Sequence, residues 1–261
     1  MSALREFRAD LHVHSCLSPC ADIFMTPARI AKRAREAGLD MVTICDHNSA
    51  ENAPYGKKAC DRLEGLSFLP GLEITSVEEV HVVALFGGVA GALKMQRVVY
   101  DKLTKAPNDS AMYGDQIIVN EDDEVEGFND RLLIGSVDMD LKSLVDQVHR
   151  LDGIAIAAHI DKTSFGVVGQ LGFIPEDVDF DAVELSRYVT DRSEDWEREA
   201  QKNYFMGRRF PILFSSDAHR LEEVGKRRTM FLLKSPGFEE IRMALKEVGG
   251  RKVQARETTE V

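Results

Sequence analysis

Six of the seven histidines in this chain stand at or just beyond the ends of short apolar runs, and acidic residues accompany them. The residues are His12, His14, His47, His81, His159 and His219, with Asp46, Glu73 and Asp217. Side chains at separate strand ends meet only when a barrel or a sheet gathers them at one edge. Imidazole and carboxylate are ligands that Zn, Mn and Fe accept. The pattern therefore predicts a site for several metal ions at the C-terminal ends of the strands.

Length and composition fit a single domain over residues 1–261. Hydrophobic residues make up 44% and charged residues 30% of the chain, which is ordinary for a globular protein with a full core. The apolar stretches are shorter than a membrane span and the N-terminus lacks the apolar region of a signal peptide, so we expect a cytoplasmic protein that contacts no membrane. The four cysteines lie in the first quarter of the chain, and we expect free thiols.

The net charge of −11 limits the classes of partner that the chain is expected to bind. Affinity for nucleic acid depends largely on Lys and Arg side chains that neutralise phosphates, so the acidic balance argues against an extended nucleic-acid surface. A small anionic substrate is compatible with this charge, because two or three bound divalent cations would outweigh the carboxylates that hold them. The oligomeric state is left open.

Short β-like runs followed by polar turns and longer helical patterns favour an α/β architecture with a largely parallel sheet. Thr26 fits the N-cap of the first helix, Pro27 its first position and Gly38 its end. Around residues 88–135 the repeat is interrupted, and the pattern predicts an inserted hairpin with an acidic turn. This insertion is either an elaboration of the scaffold or a lid over the substrate. We expect His149, on the polar face of a later helix, to be solvated.

The motifs that carry the histidines and acids occur in a specific order. They are Asp10-Leu11-His12-Val13-His14-Ser15, Cys45-Asp46-His47, Gly71-Leu72-Glu73, His81, Ala158-His159 and Ser215-Ser216-Asp217-Ala218-His219. In an extended segment both imidazoles of a His-x-His pair point to one side and can chelate a single ion. Together the motifs resemble those of the PHP (polymerase and histidinol phosphatase) superfamily. The resemblance implies a distorted (β/α)7 TIM-like barrel with two or three divalent ions of Mn, Fe or Zn, and stand-alone bacterial phosphoesterases look most similar.

The resemblance also suggests how the ligands divide among the ions. The first ion would be held by His12, His14, Glu73 and Asp217, the second by Glu73, His81 and His159, and the third by His47, His219 and a residue that follows the first motif. In the family that last ligand is usually His or Asp, whereas this chain offers Asp22 or Cys20. We favour Asp22, because a hard oxygen suits Mn or Fe in a hydrolytic site and a thiolate would favour Zn.

Three acidic residues are candidates for catalysis. Glu73 would bridge two ions and Asp217 would hold one. Asp46 would either fix the tautomer of a ligand histidine or bind metal directly, and it could protonate the leaving group. The cations that follow strand ends and could bind phosphate, as opposed to being solvated surface charges, are Lys162, Arg187 and Arg220. Arg187 is favoured because it ends a strand that otherwise contributes nothing to the site.

The function that the resemblance implies is a metal-dependent phosphoesterase. A metal-activated water would hydrolyse a phosphate ester of a small molecule or nucleotide. The expected partner is thus a small phosphorylated substrate. The alternatives are another barrel metallohydrolase acting on an amide or a phosphotriester, an exonuclease-like activity on oligonucleotide ends, and a non-catalytic binding module stabilised by metal.

Overall fold

A computed structural model describes residues 3–186 and 200–254 of the chain. The strands are β1 (Arg5–Asp10), β2 (Met41–Ile44), β3 (Ser67–Thr75), β4 (His81–Leu85), β5 (Ile117–Val119), β6 (Val125–Phe128), β7 (Ile154–Ala157), β8 (Ala182–Leu185), β9 (Ile212–Phe214), β10 (Thr229–Leu233) and β11 (Lys252–Gln254). The α-helices with described bounds are α1 (Pro27–Glu36), α2 (Ala53–Asp61), α3 (Val89–Lys102), α4 (Ser110–Tyr113), α5 (Leu141–Arg150), α6 (Val167–Leu171) and α7 (Phe238–Leu245). Within the two described ranges, no helix has the length and apolar character that crossing a membrane requires.

Nine strands form one sheet in the order β11-β10-β1-β2-β3-β4-β7-β8-β9. Seven of these strands, β1 to β4 and β7 to β9, curl into a barrel wall. The wall closes because the chain just after β1 meets the chain just after β9. There Val13 pairs with Ala218, and the His14 amide donates to the Ala218 carbonyl at 3.0 Å. On its other side β1 pairs with β10, which carries β11 at the edge of the sheet. The prediction of an α/β fold built on a distorted barrel is confirmed.

Strand direction explains why one candidate ligand begins a strand while the others follow strand ends. β4 runs antiparallel to both β3 and β7, whereas β1, β2 and β3 are parallel to one another, as are β7, β8 and β9. The first residue of β4 therefore lies at the rim where the parallel strands end. His81 is that residue, and it pairs with Thr75, close to Glu73. The sheet is thus only partly parallel, since β10 also runs antiparallel to β1, and the reversal of β4 brings His81 to the site.

The end of the barrel opposite this rim is filled by apolar side chains. Alternate residues point inward, as Phe7 and Ala9 do on β1 and Leu11 does just beyond it, and they pack together with residues of α7. Phe238 of α7 approaches Gly87, which lies just beyond the end of β4. A second apolar layer lies between the outer face of the wall and the helices. Because the interior below the rim is packed, the rim is the part of the barrel that can hold polar chemistry.

The first helix begins and ends where the sequence predicts. Thr26 accepts a hydrogen bond from the Arg29 amide at 3.4 Å, Pro27 opens α1, and Gly38 follows it in a left-handed conformation with φ 71°. The loop between β1 and α1 is closed at its base, where the Cys16 amide donates to the Met25 carbonyl at 2.8 Å. This closure holds the residues after the His-x-His motif over the rim.

The insertion around residues 88–135 contains α3, α4 and the hairpin of β5 and β6. The hairpin contacts the loop that follows the His-x-His motif, because the Ile117 amide donates to the Cys16 carbonyl at 3.0 Å. It also contacts the start of α2, where the Asn52 side chain donates to the Ile117 carbonyl at 3.1 Å. The acidic turn, residues 121–123, pairs with basic side chains at the end of α2. The insertion thus braces the loop that carries Cys20 and Asp22.

His149 on α5 has a specific partner, contrary to the expectation that it is solvated. Its Nε2 lies 2.9 Å from Asp181 Oδ2, an oxygen that also accepts the Ala155 amide at 2.8 Å. The hydrogen bond to Asp181 raises the pKa of His149 above its ordinary value of 6.5, against the opposing effect of partial burial. The pair joins α5 to β7 and to the segment that leads into β8.

Replacing His149 by Gln removes the charge of this pair. Because folding raises the pKa of His149, the charged pair stabilises the fold below about pH 6.5, and the contribution disappears as the pH rises through the folded-state pKa. We expect H149Q to lower the free energy of unfolding by about 0.5–1 kcal/mol near pH 5.5 and by much less near pH 9. Urea denaturation of both proteins measures this difference, and an equal loss at both pH values would contradict an ionic contribution.

Candidate metal centre

Glu73, near the end of β3, is the centre of the site. Its side chain is buried. Nitrogen atoms of five histidines lie within 3.4 Å of its carboxylate oxygens: His81 at 2.8 Å, His47 at 3.1 Å, His159 at 3.2 Å, His12 at 3.3 Å and His14 at 3.4 Å. A buried carboxylate is rarely left unpaired, but five imidazoles exceed what one structural ion pair requires. The arrangement fits a carboxylate that bridges metal ions.

The candidate ligand atoms form three overlapping groups, and within each group they lie within 4.8 Å of one another. The groups are His12, His14 and Glu73; His47, Glu73 and His81; and His14, Cys20, His47 and His219. The first and third groups overlap the ligand sets expected for the first and third ions. The family resemblance suggests His47 for the third ion, whereas the structure also places it with Glu73 and His81, where the second ion is expected.

Cys20, the alternative third-ion ligand, lies beside His47 and His219. Asp22, the favoured one, is exposed, and its Oδ1 accepts the Phe24 amide at 2.8 Å, which closes a local turn. The loop path therefore brings the sulfur rather than the carboxylate to the histidines. A thiolate at this position would favour Zn over harder ions.

Asp217 stands at the edge of the first group, beside Lys162. Its Oδ1 lies 3.4 Å from His14 Nε2 and 3.6 Å from His12 Nε2, and its Oδ2 accepts Lys162 Nζ at 2.5 Å. Asp217 and His159 both have positive φ, 49° and 27°. Residues other than glycine seldom adopt this conformation, and such strain is concentrated at functional sites.

Burial and nearby charge set the protonation states of the site. Burial lowers the pKa of His14 to about 4 and holds the pKa values of His47 and His81 below the ordinary 6.5. Burial alone would raise the pKa of Glu73, but the imidazoles of His81 and His12 outweigh it and hold that pKa well below its usual value. The imidazoles of His14, His47 and His81 are thus neutral beside an ionised Glu73, and these are the states that metal binding requires.

Two buried nitrogen atoms show that the site suits a metal ion. His47 Nδ1 and His81 Nδ1 lie 3.1 and 2.8 Å from oxygens of Glu73, yet neither makes a hydrogen bond of acceptable geometry with any described residue. A buried polar atom without a hydrogen bond is costly. An ion held between these nitrogens and the carboxylate would satisfy both, so the donor set fits divalent metal ions.

Asp46 supports the histidines from behind. Its Oδ1 accepts the Ser15 amide at 2.7 Å and the Ser18 hydroxyl at 2.8 Å, and its Oδ2 accepts the Ser15 hydroxyl at 2.6 Å. The Ser18 oxygen lies 3.0 Å from His14 Nδ1 and accepts the His47 amide at 3.1 Å. Burial raises the pKa of Asp46 to about 6. Of the three tasks considered for Asp46, this geometry corresponds to orienting ligand histidines.

Glu184 on β8 is a site residue that the sequence analysis missed. Its Oε1 lies 2.9 Å from His12 Nδ1 and accepts the His159 amide at 3.3 Å. Such a carboxylate orients a metal-bound imidazole and increases its basicity. Burial opposes a charge on His12, but Glu184 and the neighbouring carboxylates raise its pKa well above the ordinary value. The available signal was one acid inside an otherwise apolar strand, which contributes to the site after all.

The three cations considered for phosphate binding differ in their position relative to the metal centre. Lys162 lies inside the centre, against Asp217. Arg220 is exposed and lines a cleft of about 360 Å³ next to the third group of ligands. That cleft is formed by Asp22, Phe24, Arg29, Arg220, Leu221 and Glu222. Arg187 falls outside the described residues.

A barrel with this set of donors at its rim can hold divalent metal ions. A family model described as PHP-associated matches residues 198–248, the segment that carries Asp217 and His219. The match covers only part of the chain, and it agrees with the resemblance of the motifs to the PHP superfamily. No curated protein matches its sequence.

Solved structures with the same fold include three hydrolases. Endonuclease Q from Pyrococcus furiosus, described as lesion-specific, has a TM-score of 0.71 at 21% identity and is matched over 95% of this chain and 58% of its own. A Bifidobacterium adolescentis protein assigned as a metal-dependent phosphoesterase has a TM-score of 0.54 at 16% identity, over 81% of this chain and 87% of its own. An amidohydrolase from Chromobacterium violaceum has a TM-score of 0.50 at 17% identity, over 84% and 90%. The chain thus spans 58% of the length of the endonuclease Q chain.

The similarity to endonuclease Q contradicts the expected partner. That enzyme has been solved with a 27-mer duplex substrate that carries an abasic lesion at the active site. The expectation of a small phosphorylated substrate without an extended nucleic-acid surface is therefore wrong. Its physical weakness is that a net charge of −11 averages over the whole chain, whereas attraction at a metal centre depends on the local charge.

Metal analysis of two variants tests the third group of ligands. We expect C20A to lower the zinc bound per chain by about one ion, because it removes the sulfur beside His47 and His219. D22N should keep the wild-type zinc content, since the Asp22 carboxylate caps a turn. Zinc is measured by mass spectrometry on protein reloaded with the metal. Loss of zinc in D22N but not in C20A would assign the ligand to Asp22.

A second prediction concerns the carboxylate behind His12. We expect E184Q to weaken metal affinity by about 10- to 100-fold, because the neutral amide no longer raises the basicity of the imidazole. Competition with a chromophoric chelator measures the affinity, and circular dichroism checks that the fold is kept. E239Q, at an exposed position on α7, is the matched control. Equal affinities for E184Q and E239Q would exclude an orienting task for Glu184.

Proposed function

We propose that this chain is a metal-dependent phosphodiesterase that cleaves the backbone of a nucleic acid. The observation that carries the proposal is the buried carboxylate of Glu73 with nitrogens of five histidines within 3.4 Å. A centre with overlapping ligand groups suits several ions, which is the arrangement that clamps the attacking and leaving oxygens of an in-line displacement at phosphorus. The fold shared with endonuclease Q supports DNA as the nucleic acid.

The residues of the centre have separate tasks in this proposal. Bound divalent ions would lower the pKa of a water molecule and neutralise charge on the phosphate oxygens. Glu73 and Asp217 supply the negative charge that keeps cations at the rim, and the neutral imidazoles of His47 and His81 supply lone pairs without adding charge. Glu184 keeps the ring of His12 in a fixed orientation.

Lys162 is the cation nearest to the proposed reacting atoms. Burial disfavours its charge, but the carboxylate of Asp217 outweighs burial and raises the pKa of Lys162, so the side chain is protonated at neutral pH. Its Nζ lies 2.5 Å from Asp217 Oδ2. A phosphate oxygen held next to Asp217 would therefore be within reach of this ammonium group, which supports binding of a negatively charged diester.

The test is a cleavage assay on metal-depleted and metal-reloaded protein. Labelled DNA is offered as a single strand, as an intact duplex and as a duplex with one abasic site, and the products are separated on denaturing gels. We expect cleavage to disappear on chelation and to return with Mn or Zn. D217N and H159A should each lower the rate by at least about a hundredfold, because they remove candidate metal-binding groups.

H149Q is the matched histidine variant for this assay, because His149 pairs with Asp181 away from the centre. We expect its cleavage rate to stay within about twofold of wild type. An equal loss in H149Q and H159A would indicate damage to the fold. Cleavage that survives chelation, or turnover of amides in the absence of any diester cleavage, would contradict the proposed function.

A further inference from the structure

Two phenylalanine rings lie exposed at the rim, one beside each of two ligand groups. Phe24 is 54% exposed and Phe165 is 39% exposed, although large apolar side chains are usually buried. We infer that these rings are stacking platforms for unpaired nucleobases of the strand whose phosphate lies at the metal centre. The inference rests on the proposed function and adds to it the conformation of the substrate.

Phe24 stands beside the third group of ligands. It lies in the loop after the His-x-His motif, where the Asp22 amide donates to the His219 carbonyl at 2.9 Å. The guanidinium carbon of Arg29 lies 5.1 Å from the centre of the Phe24 ring. The cation backs one face of the ring, and the large exposed fraction leaves the other face to solvent.

Phe165 stands beside the group that contains His81. The two rings are stacked, with centroids 4.4 Å apart and an interplanar angle of 18°, and the His81 amide donates to the Phe165 carbonyl at 2.9 Å. Phe165 has φ 63°, a conformation that is unusual for a bulky residue. The strained backbone and the stacked imidazole fix this ring at the rim.

The two platforms share one geometry. Each ring is held from behind by a nitrogen-containing group and is open on the other side, and His47 belongs to both of the ligand groups that the rings adjoin. A strand with its phosphate among the metal ligands would have neighbouring bases near each ring. Stacking on an aromatic side chain accepts any base, because every base has a π face.

The charges around Phe24 favour stacking over attraction of phosphate. The cleft next to the ring has two guanidinium groups, Arg29 and Arg220, and two carboxylates, Asp22 and Glu222. Arg29 is also paired with Asp123 at 3.4 Å. Because these charges balance, the cleft adds little net attraction for a polyanion. A base in the cleft would be held by the ring, and its contribution would depend little on salt.

The experiment compares two single-stranded DNA oligomers of equal length with the metal-loaded protein. One has normal bases, and the other has tetrahydrofuran abasic units on both sides of the scissile phosphate. F24L keeps the bulk and removes the π face, F24Y keeps the π face, and F173A removes an exposed phenylalanine, 42% exposed, that lies beyond α6. Values of kcat and KM are measured at several salt concentrations.

We expect F24L to raise KM for the base-bearing oligomer at least about fivefold, with kcat and the salt dependence unchanged. KM for the abasic oligomer should stay the same, F24Y should behave like wild type, and F173A should change neither oligomer. An unchanged KM in F24L, or an equal rise for both oligomers, would overturn the stacking inference and leave the proposed function intact. If wild type cleaves neither oligomer nor duplex DNA, the proposed function fails, and the inference fails with it.

F165L provides the second measurement, because this ring also contacts a candidate metal ligand. The metal content of F165L is measured first. If it equals that of wild type, we expect the same selective rise in KM for the base-bearing oligomer. A loss of metal would instead assign Phe165 to holding His81 and would remove it from the stacking inference.

Discussion

The arrangement of the rim depends on one buried carboxylate, that of Glu73. Glu73 is buried where an uncompensated charge would be strongly destabilising, and the fold surrounds its carboxylate with imidazoles from several strands. The reversed direction of β4 contributes one of these imidazoles, because it brings His81, the first residue of that strand, to the rim. Neutral imidazole nitrogens and an ionised carboxylate can together bind divalent metal ions, and the bound ions would compensate the buried charge of Glu73.

A second layer of carboxylates lies outside the first. Glu184 holds His12, and Asp46 acts through Ser18 on two further histidines. Asp10 is similarly engaged, since its oxygens accept the amide of Ser216 at 3.0 Å and the hydroxyl at 2.6 Å. None of these acids needs to touch a substrate to matter. They fix the orientation of candidate ligand histidines and of the chain just before Asp217.

The loop after the His-x-His motif contributes both a candidate metal ligand and an exposed aromatic ring to the site. It carries Cys20, which joins the third group of ligands, and four residues later Phe24, which borders the adjoining cleft. The loop is braced by its own closing hydrogen bond and by the inserted hairpin. Its conformation therefore affects both the composition of the centre and the surface that faces a substrate.

The order of short apolar runs and polar stops along the sequence determined the fold class, the location of the site at one rim and the histidines that meet there. These features follow from strand alternation and from the way a barrel collects strand ends, which are local and periodic properties. Tertiary structure alone decided that Cys20 reaches the histidines while Asp22 caps a turn, that Glu184 supports His12, and that His149 pairs with Asp181. Those outcomes depend on loop paths and on residues far apart in the chain, for which a periodic pattern has no signal.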